Sequence, residues 1–194
     1  MMIKIAVFAS GNGTNAENLI SHFNTCPPRG GQVSLVVCNR RGARVIYRAS
    51  RAGVPVEVMS RDEINNPHTM LALLDRYSVD AIVLAGFLLM VPPFLVEAYR
   101  GRIINIHPSL LPRYGGRGMY GMNVHRAVVA AGDNATGITI HHVNERYDDG
   151  AVIFQATTAV APGDTSEDVE RKVHLLEREH FPRVVEEALC GGRG

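Results

Sequence analysis

The chain has 194 residues, 46 % hydrophobic and 20 % charged, with a formal net charge of +1. That suits one globular domain with a buried core, and so balanced a charge gives no global footprint for nucleic acid or a membrane surface. No apolar run approaches the roughly 20 residues of a membrane-spanning helix, and residues 1–8 lack the pattern of a cleavable leader.

A cytoplasmic protein is therefore expected. The cysteines, Cys26, Cys38 and Cys190, are odd in number and lack metal-ligand spacing. They read as free thiols in a reducing compartment, with Cys38 in an apolar, core-like run. The tail after Cys190 reads as frayed.

Residues 3–9 form a short apolar strand, residues 10–14 a glycine-rich turn, and residues 15–23 a helix with Ala16, Leu19, Ile20 and Phe23 on one face. A strand at 33–38, a helix at 43–52 ended by Gly53, and a strand at 54–58 follow. A helix at 69–77 and a strand at 81–84 complete the first half. These strands are apolar on both faces, the mark of a parallel sheet covered by helices. Ligands in such sheets bind beyond the carboxyl ends of the strands.

Pro92 opens a helix reaching Tyr99. A strand at 102–106 is stopped by His107-Pro108, and a long Gly- and Pro-rich loop covers 109–122. After a helix at 124–131 the alternation breaks. Strands at 137–143 and 151–158 have no helix between them, so an antiparallel extension is expected. Thr165 or Ser166 caps a last helix running to about residue 188. The expected fold is α/β: a Rossmann-like, mostly parallel sheet with helices on both faces and an antiparallel C-terminal extension.

Three motifs carry chemistry. Ser10-Gly11-Asn12-Gly13-Thr14-Asn15-Ala16 joins the first strand to the first helix, where backbone N–H groups can hold a phosphate. A turn needing glycine for steric reasons alone is the other reading. The spacing also fits a dinucleotide fingerprint, but the second strand ends in Asn39-Arg40-Arg41 with no acid for a ribose, which disfavours NAD and leaves a 2′-phosphate open.

In Asn105-Ile106-His107-Pro108, the first and third residues project to one side of a strand. A carboxamide and an imidazole there can stabilise an oxyanion and move a proton; a satisfied core histidine is the plainer alternative. Tyr147-Asp148-Asp149-Gly150 is either a simple hairpin turn or a carboxylate returned to His107, where it would raise the imidazole pKa. His141 and His142 are adjacent in a strand and face opposite ways, and His22 and His68 read as surface residues. No zinc motif and no serine-hydrolase elbow is present.

On these strings, together with Val83-Leu84-Ala85-Gly86-Phe87, His107-Pro108-Ser109-Leu110-Leu111-Pro112 and Gly163-Asp164-Thr165, the chain resembles the phosphoribosylglycinamide formyltransferase family over nearly its whole length. The resemblance implies transfer of a formyl group from 10-formyltetrahydrofolate, as co-substrate, to the amine of 5′-phosphoribosylglycinamide in de novo purine biosynthesis. It implies small-molecule substrates, no metal, no nucleic acid or membrane partner, and a monomer or weak homodimer.

Residue by residue, it implies a catalytic trio of Asn105, His107 and Asp148. Gly13, Thr14 and Asn15 would hold the acceptor's phosphate, and Glu177 with His174 would approach its ribose. Leu88, Leu89, Met90 and Val91, with Asn105, would hold the folate, and His141 would lie near the site. In the implied mechanism Asn105 and protonated His107 stabilise a tetrahedral intermediate while Asp148 keeps His107 charged and helps move the proton. Residues 1–100 would form a ribonucleotide-binding half and residues 101–194 a catalytic and folate-binding half.

The chain departs from the family pattern at Leu89, where an arginine is usual; Arg61 is the expected substitute for the folate's charged tail. Residues 113–122 are longer than usual, either a flap or a surface insertion, and Asp149 replaces a frequent glycine. Related folate enzymes acting on methionyl-tRNA or sugar nucleotides, or hydrolysing the donor, are the nearest rivals, and they would carry extra domains or a basic surface. An NADP-linked reductase resting on Gly11, Gly13, Ala16 and Arg40 is the rival of another class, and a silent nucleotide-binding module a third.

Overall fold

The computed structural model describes residues 2–25 and 30–191; Cys26 and the tail residues 192–194 lie outside the described residues. Seven strands form one sheet in the order β3-β2-β1-β4-β5-β6-β7. The strands β1 (Ile3–Ala9), β2 (Gly31–Cys38), β3 (Val56–Val58), β4 (Ala81–Leu84) and β5 (Ile103–His107) are parallel to one another. The last two, β6 (Ala135–His142) and β7 (Val152–Ala159), add on antiparallel. The expected architecture is the observed one.

Alternation along β1 shows why these strands read as continuously apolar. Ile5, Val7 and Ala9 pack into one core with Leu19 and Phe23 of α1 (Thr14–Phe23), Val45 of α2 (Arg44–Arg51), and Val173 and Phe181 of α7 (Ser166–Cys190). Ala6 and Phe8 point the other way, into a core with Ile64 of α3 (Arg61–Asn65), Met70 of α4 (Pro67–Arg76) and Leu95 of α5 (Pro93–Ala98). Period-two geometry thus serves two cores, and each fully buried Leu or Phe stabilises the fold by about 1.5–3 kcal/mol.

Several boundaries move by one or two residues, and one element is new. The short α3 has no counterpart among the expected helices; Ser60 and Glu63 close a capping box at its start. Asn66 caps α4 with Pro67 in its first turn, so α4 begins two residues before the expected Thr69. Thr165 is the cap of α7, in a capping box with Asp168. This helix contains Pro182, which has no N–H for the Arg178 carbonyl. The Asn18 side chain of α1 donates to that carbonyl at 3.0 Å, so the chain's last helix is tied to its first where its own ladder is interrupted.

β1 lies between β2 and β4, and its connections leave in opposite directions, which opens a crevice beyond the strand ends. The loops after β1 and β4, and the end of β5, meet there. Among the described residues no helix is long and apolar enough to cross a membrane.

Candidate active site

The loop after β1 is fastened to the loop after β4. Buried Ser10 donates its N–H to the Gly86 carbonyl at 3.0 Å, and its hydroxyl accepts from the Leu88 N–H at 2.9 Å. Gly13 has a left-handed φ of 78°, and a Cβ on it would lie 2.5 Å from the Val45 Cβ. The steric reading therefore accounts for Gly13. Gly11 differs: an added Cβ would meet nothing within 4 Å.

No side chain caps α1, which leaves its first-turn N–H groups open to an anion. Asn15 reaches across to Glu177 of α7. Burial holds the Glu177 carboxyl above the usual range, against the opposing pull of His174, 3.9 Å away, and of the Asn15 amide.

The chemical centre forms where β5 and β6 pair antiparallel, setting Asn105 opposite His141. Here His107 is the last residue of β5, where the sequence suggested the first residue beyond it. Its Nε2 lies 2.8 Å from the Tyr114 carbonyl, which can only accept, so the proton sits on Nε2. Its Nδ1 faces Asp148 Oδ2 at 3.6 Å. His141 Nδ1 donates to the His142 carbonyl at 2.8 Å, and its Nε2 lies 3.1 Å from Asn105 Nδ2 and 3.7 Å from Asp148 Oδ1. The Asn105 Nδ2 also points to Asp148 Oδ1 at 3.5 Å. Asp148 itself sits at a positive φ of 51° and accepts from the Gly116 N–H at 2.8 Å.

The electrostatics correct one expectation. Burial pushes the His107 pKa down, and this outweighs the opposing pull of Asp148 and of the Tyr114 carbonyl; His141 also lowers it. The ring is therefore neutral at neutral pH rather than held charged by Asp148. Burial alone would raise the Asp148 carboxyl, but the His141 and His107 rings and the Gly116 N–H hold it below the usual range. The centre is thus a carboxylate beside a neutral imidazole that gains an ion-pair partner when it takes a proton.

A cavity of about 590 Å³ runs from Gly11, Thr14 and Asn15 past Glu177 and His174 to Asn105, His107 and Asp148. A slot of about 80 Å³ adjoins it through Phe87, Asn105, Tyr147 and Asp148, and is lined by Leu89, Met90, Val91, His141 and Arg146. Leu88 lines the larger chamber. Both spaces draw on both expected halves of the chain: Leu89 to Val91 belong to the first, Glu177 and His174 to the second.

Arg61 is exposed at the start of α3, which follows the edge strand β3, four strands from β5, and it lines neither space. Arg146 is the cation at the slot. His22, expected on the surface, is half-buried against Glu186 at 2.7 Å. Sequence reasoning missed the backbone roles of Tyr114 and Gly116 and the bridging of Ser10, for which side-chain type gives no signal. It also missed His125, whose signal was a polar residue among the buried positions of its helix. Among the described residues no group of three or more His, Cys, Asp or Glu could hold a metal ion.

The crevice and its cluster of carboxamide, imidazole and carboxylate together have the form of an enzyme active site at a topological switch point. The chain belongs to the formyl transferase family: the family model described as Formyl transferase matches residues 3–185. Similar proteins carry a narrower name, phosphoribosylglycinamide formyltransferase. One from Haemophilus influenzae is 36 % identical over 190 residues, covering 95 % of this chain and 86 % of its own. A chloroplastic one from Arabidopsis thaliana is 37 % identical over 98 % of this chain, which spans 66 % of that relative's length. The solved glycinamide ribonucleotide transformylase 1 of Geobacillus kaustophilus superposes with a TM-score of 0.87 at 37 % identity, over 97 % of this chain and 100 % of that one.

Proposed function

We propose that this protein transfers the formyl group of 10-formyltetrahydrofolate to the amine of 5′-phosphoribosylglycinamide, a cytoplasmic step of de novo purine biosynthesis. The carrying observation is the chamber that leads from an uncapped helix start to the Asn105–His107–Asp148 cluster and adjoins there a slot with an apolar wall of Leu89, Met90 and Val91. A phosphate at Gly11 to Asn15, assisted by Arg40 on the chamber wall, anchors the acceptor. Glu177 and His174 face its ribose. The slot, with Leu88 to Val91, takes the flat ring of the folate, and Arg146 meets the charged tail.

The acceptor's amine attacks the formyl carbon, and the carbonyl electrons move onto oxygen. Asn105 and the His107 Nε2–H donate to that oxyanion. Asn105 turns its Nδ2 from a long 3.5 Å contact to the Asp148 carboxylate, and His107 trades its bond to the neutral Tyr114 carbonyl for a charged acceptor, the stronger partner. The amine's proton passes to the Asp148–His107 pair, where protonation at Nδ1 creates the ion pair. Collapse of the intermediate breaks the bond to the folate nitrogen, which takes that proton as it leaves. Holding two substrates in line supplies much of the rate, since effective molarities reach on the order of 10⁵ M.

The test is deformylation of a 10-formyl folate followed by absorbance, with and without the ribonucleotide. Release is expected only when the ribonucleotide is present, and should be lost in His107→Ala. Release without any acceptor would replace this reading with that of a hydrolase.

A further inference from the structure

His125 lies on α6 (Met122–Ala130) between buried Val124 and Val128 and is itself 1 % exposed. Nothing in the chemistry above uses it. A histidine that merely packs is expected to place its nitrogens on protein partners, because an unpaired buried polar atom is destabilising. The Nδ1 of His125 is buried with no hydrogen-bond partner among the described residues. Yet the ring lines the chamber, close enough to both His107 and His174 for each to depress its charge. It is therefore within electrostatic reach of both the chemical centre and the ribose end. Burial first, then those two histidines, pushes its pKa to about 4, so the ring is neutral at neutral pH. A neutral imidazole offers one donor and one acceptor. That suits a hydroxyl or an amide and suits a phosphate poorly.

We propose that His125 is a substrate-binding residue whose ring hydrogen-bonds a hydroxyl or amide group in the middle of the acceptor, between the phosphate held at α1 and the amine presented to Asn105 and His107. The assignment rests on the formyltransferase reading above. It explains why an unsatisfied polar atom is kept in an otherwise apolar helix face: the atom finds its partner in the ligand.

The experiment replaces the ring with an apolar one of similar size, His125→Phe. Three quantities are read: the affinity for the ribonucleotide alone by titration calorimetry, the KM and kcat of transfer, and the melting temperature without ligand. Binding and KM should each weaken about tenfold, the loss of one neutral hydrogen bond, with kcat changed less than about twofold. The melting temperature should rise by roughly 2–4 °C, because the unpaired group is gone.

His125→Gln, which keeps a donor and an acceptor, should restore most of the affinity, and it carries the test if the Phe variant does not fold. Unchanged ribonucleotide affinity in a folded Phe variant overturns the assignment. So does a weaker affinity accompanied by a lower melting temperature, which would mark a packing role, and so does a Gln variant as weak as Phe. If the wild type binds no ribonucleotide, the formyltransferase reading has failed, and the melting temperature still decides whether the ring carries the cost of an unpaired group.

Discussion

Gly11 and Gly13 stand two apart in one loop and have opposite reasons to be glycine. At Gly13 the left-handed φ and the approach of Val45 demand it, so Gly13→Val should unfold the loop whatever it binds. At Gly11 the space is open, on the wall of the chamber where the phosphate is proposed to bind. Gly11→Ala is expected to keep stability within about 0.5 kcal/mol while raising the ribonucleotide KM severalfold; an unchanged KM would move the phosphate elsewhere.

Asp148 is a sharper case. Asp148→Asn keeps the shape but removes the charge that stabilises the proton taken up at His107 Nδ1, and should lower kcat by about 10²–10⁴ with little change in thermal melting. A variant turning over at the native rate would take Asp148 out of the mechanism. The pairing of Asn105 with His107 was legible from their spacing on a strand. The closure by Asp148 was not, because it depends on a turn with positive φ that no periodicity announces.

At the scale of elements, the alternation of strand and helix was readable because the central strands β1 and β4 are apolar on both faces, as Ile5, Ala6, Val7 and Phe8 show. The antiparallel addition was readable because no helix-length segment separates 137–143 from 151–158. The five-residue α3 was not, since it is too short for an apolar face and rests on one capping box. The loop of residues 113–122 reads in the sequence as flap or insertion, yet its first residues are neither loose nor idle.

The Tyr114 hydroxyl and the Arg113 guanidinium both donate to Asp133 at 2.7 Å, just beyond α6. This anchors the Tyr114 carbonyl on His107, while Gly116 binds Asp148. The loop therefore holds both members of the pair from the side opposite the sheet. Because that carbonyl favours the protonated ring, Asp133→Ala should lower the His107 pKa further. An NMR titration of the ring would show it, and an unmoved titration would mean that the anchor does not reach the histidine.

Over the whole molecule, the buried groups of one chamber give stability opposing dependences on pH. His125 titrates near 4 in the folded chain against an ordinary histidine value of 6.5. Between those values the unfolded chain binds the extra proton, so stability falls as pH drops from about 6.5 to about 4. A shift of that size corresponds to on the order of 3 kcal/mol. His107, also depressed by burial, acts in the same sense. Glu177 acts in the opposite sense: its raised carboxyl keeps a proton that the unfolded chain releases above about 4.5, so its contribution is lost as pH rises through the folded pKa.

A melting curve of the wild type alone would mix these terms. The difference between wild type and His125→Phe isolates one of them, because His107 and Glu177 are present in both. By calorimetry at pH 7.5 and pH 5, the variant's advantage should widen at the lower pH. Of the charged and titratable groups around the ring, His174 and His107 are the two that depress its charge, and both would only widen that difference as they protonate. An advantage that stays constant between the two pH values would mean that the ring is solvated enough to take its proton freely, and would remove the physical basis for a neutral histidine in the chamber wall.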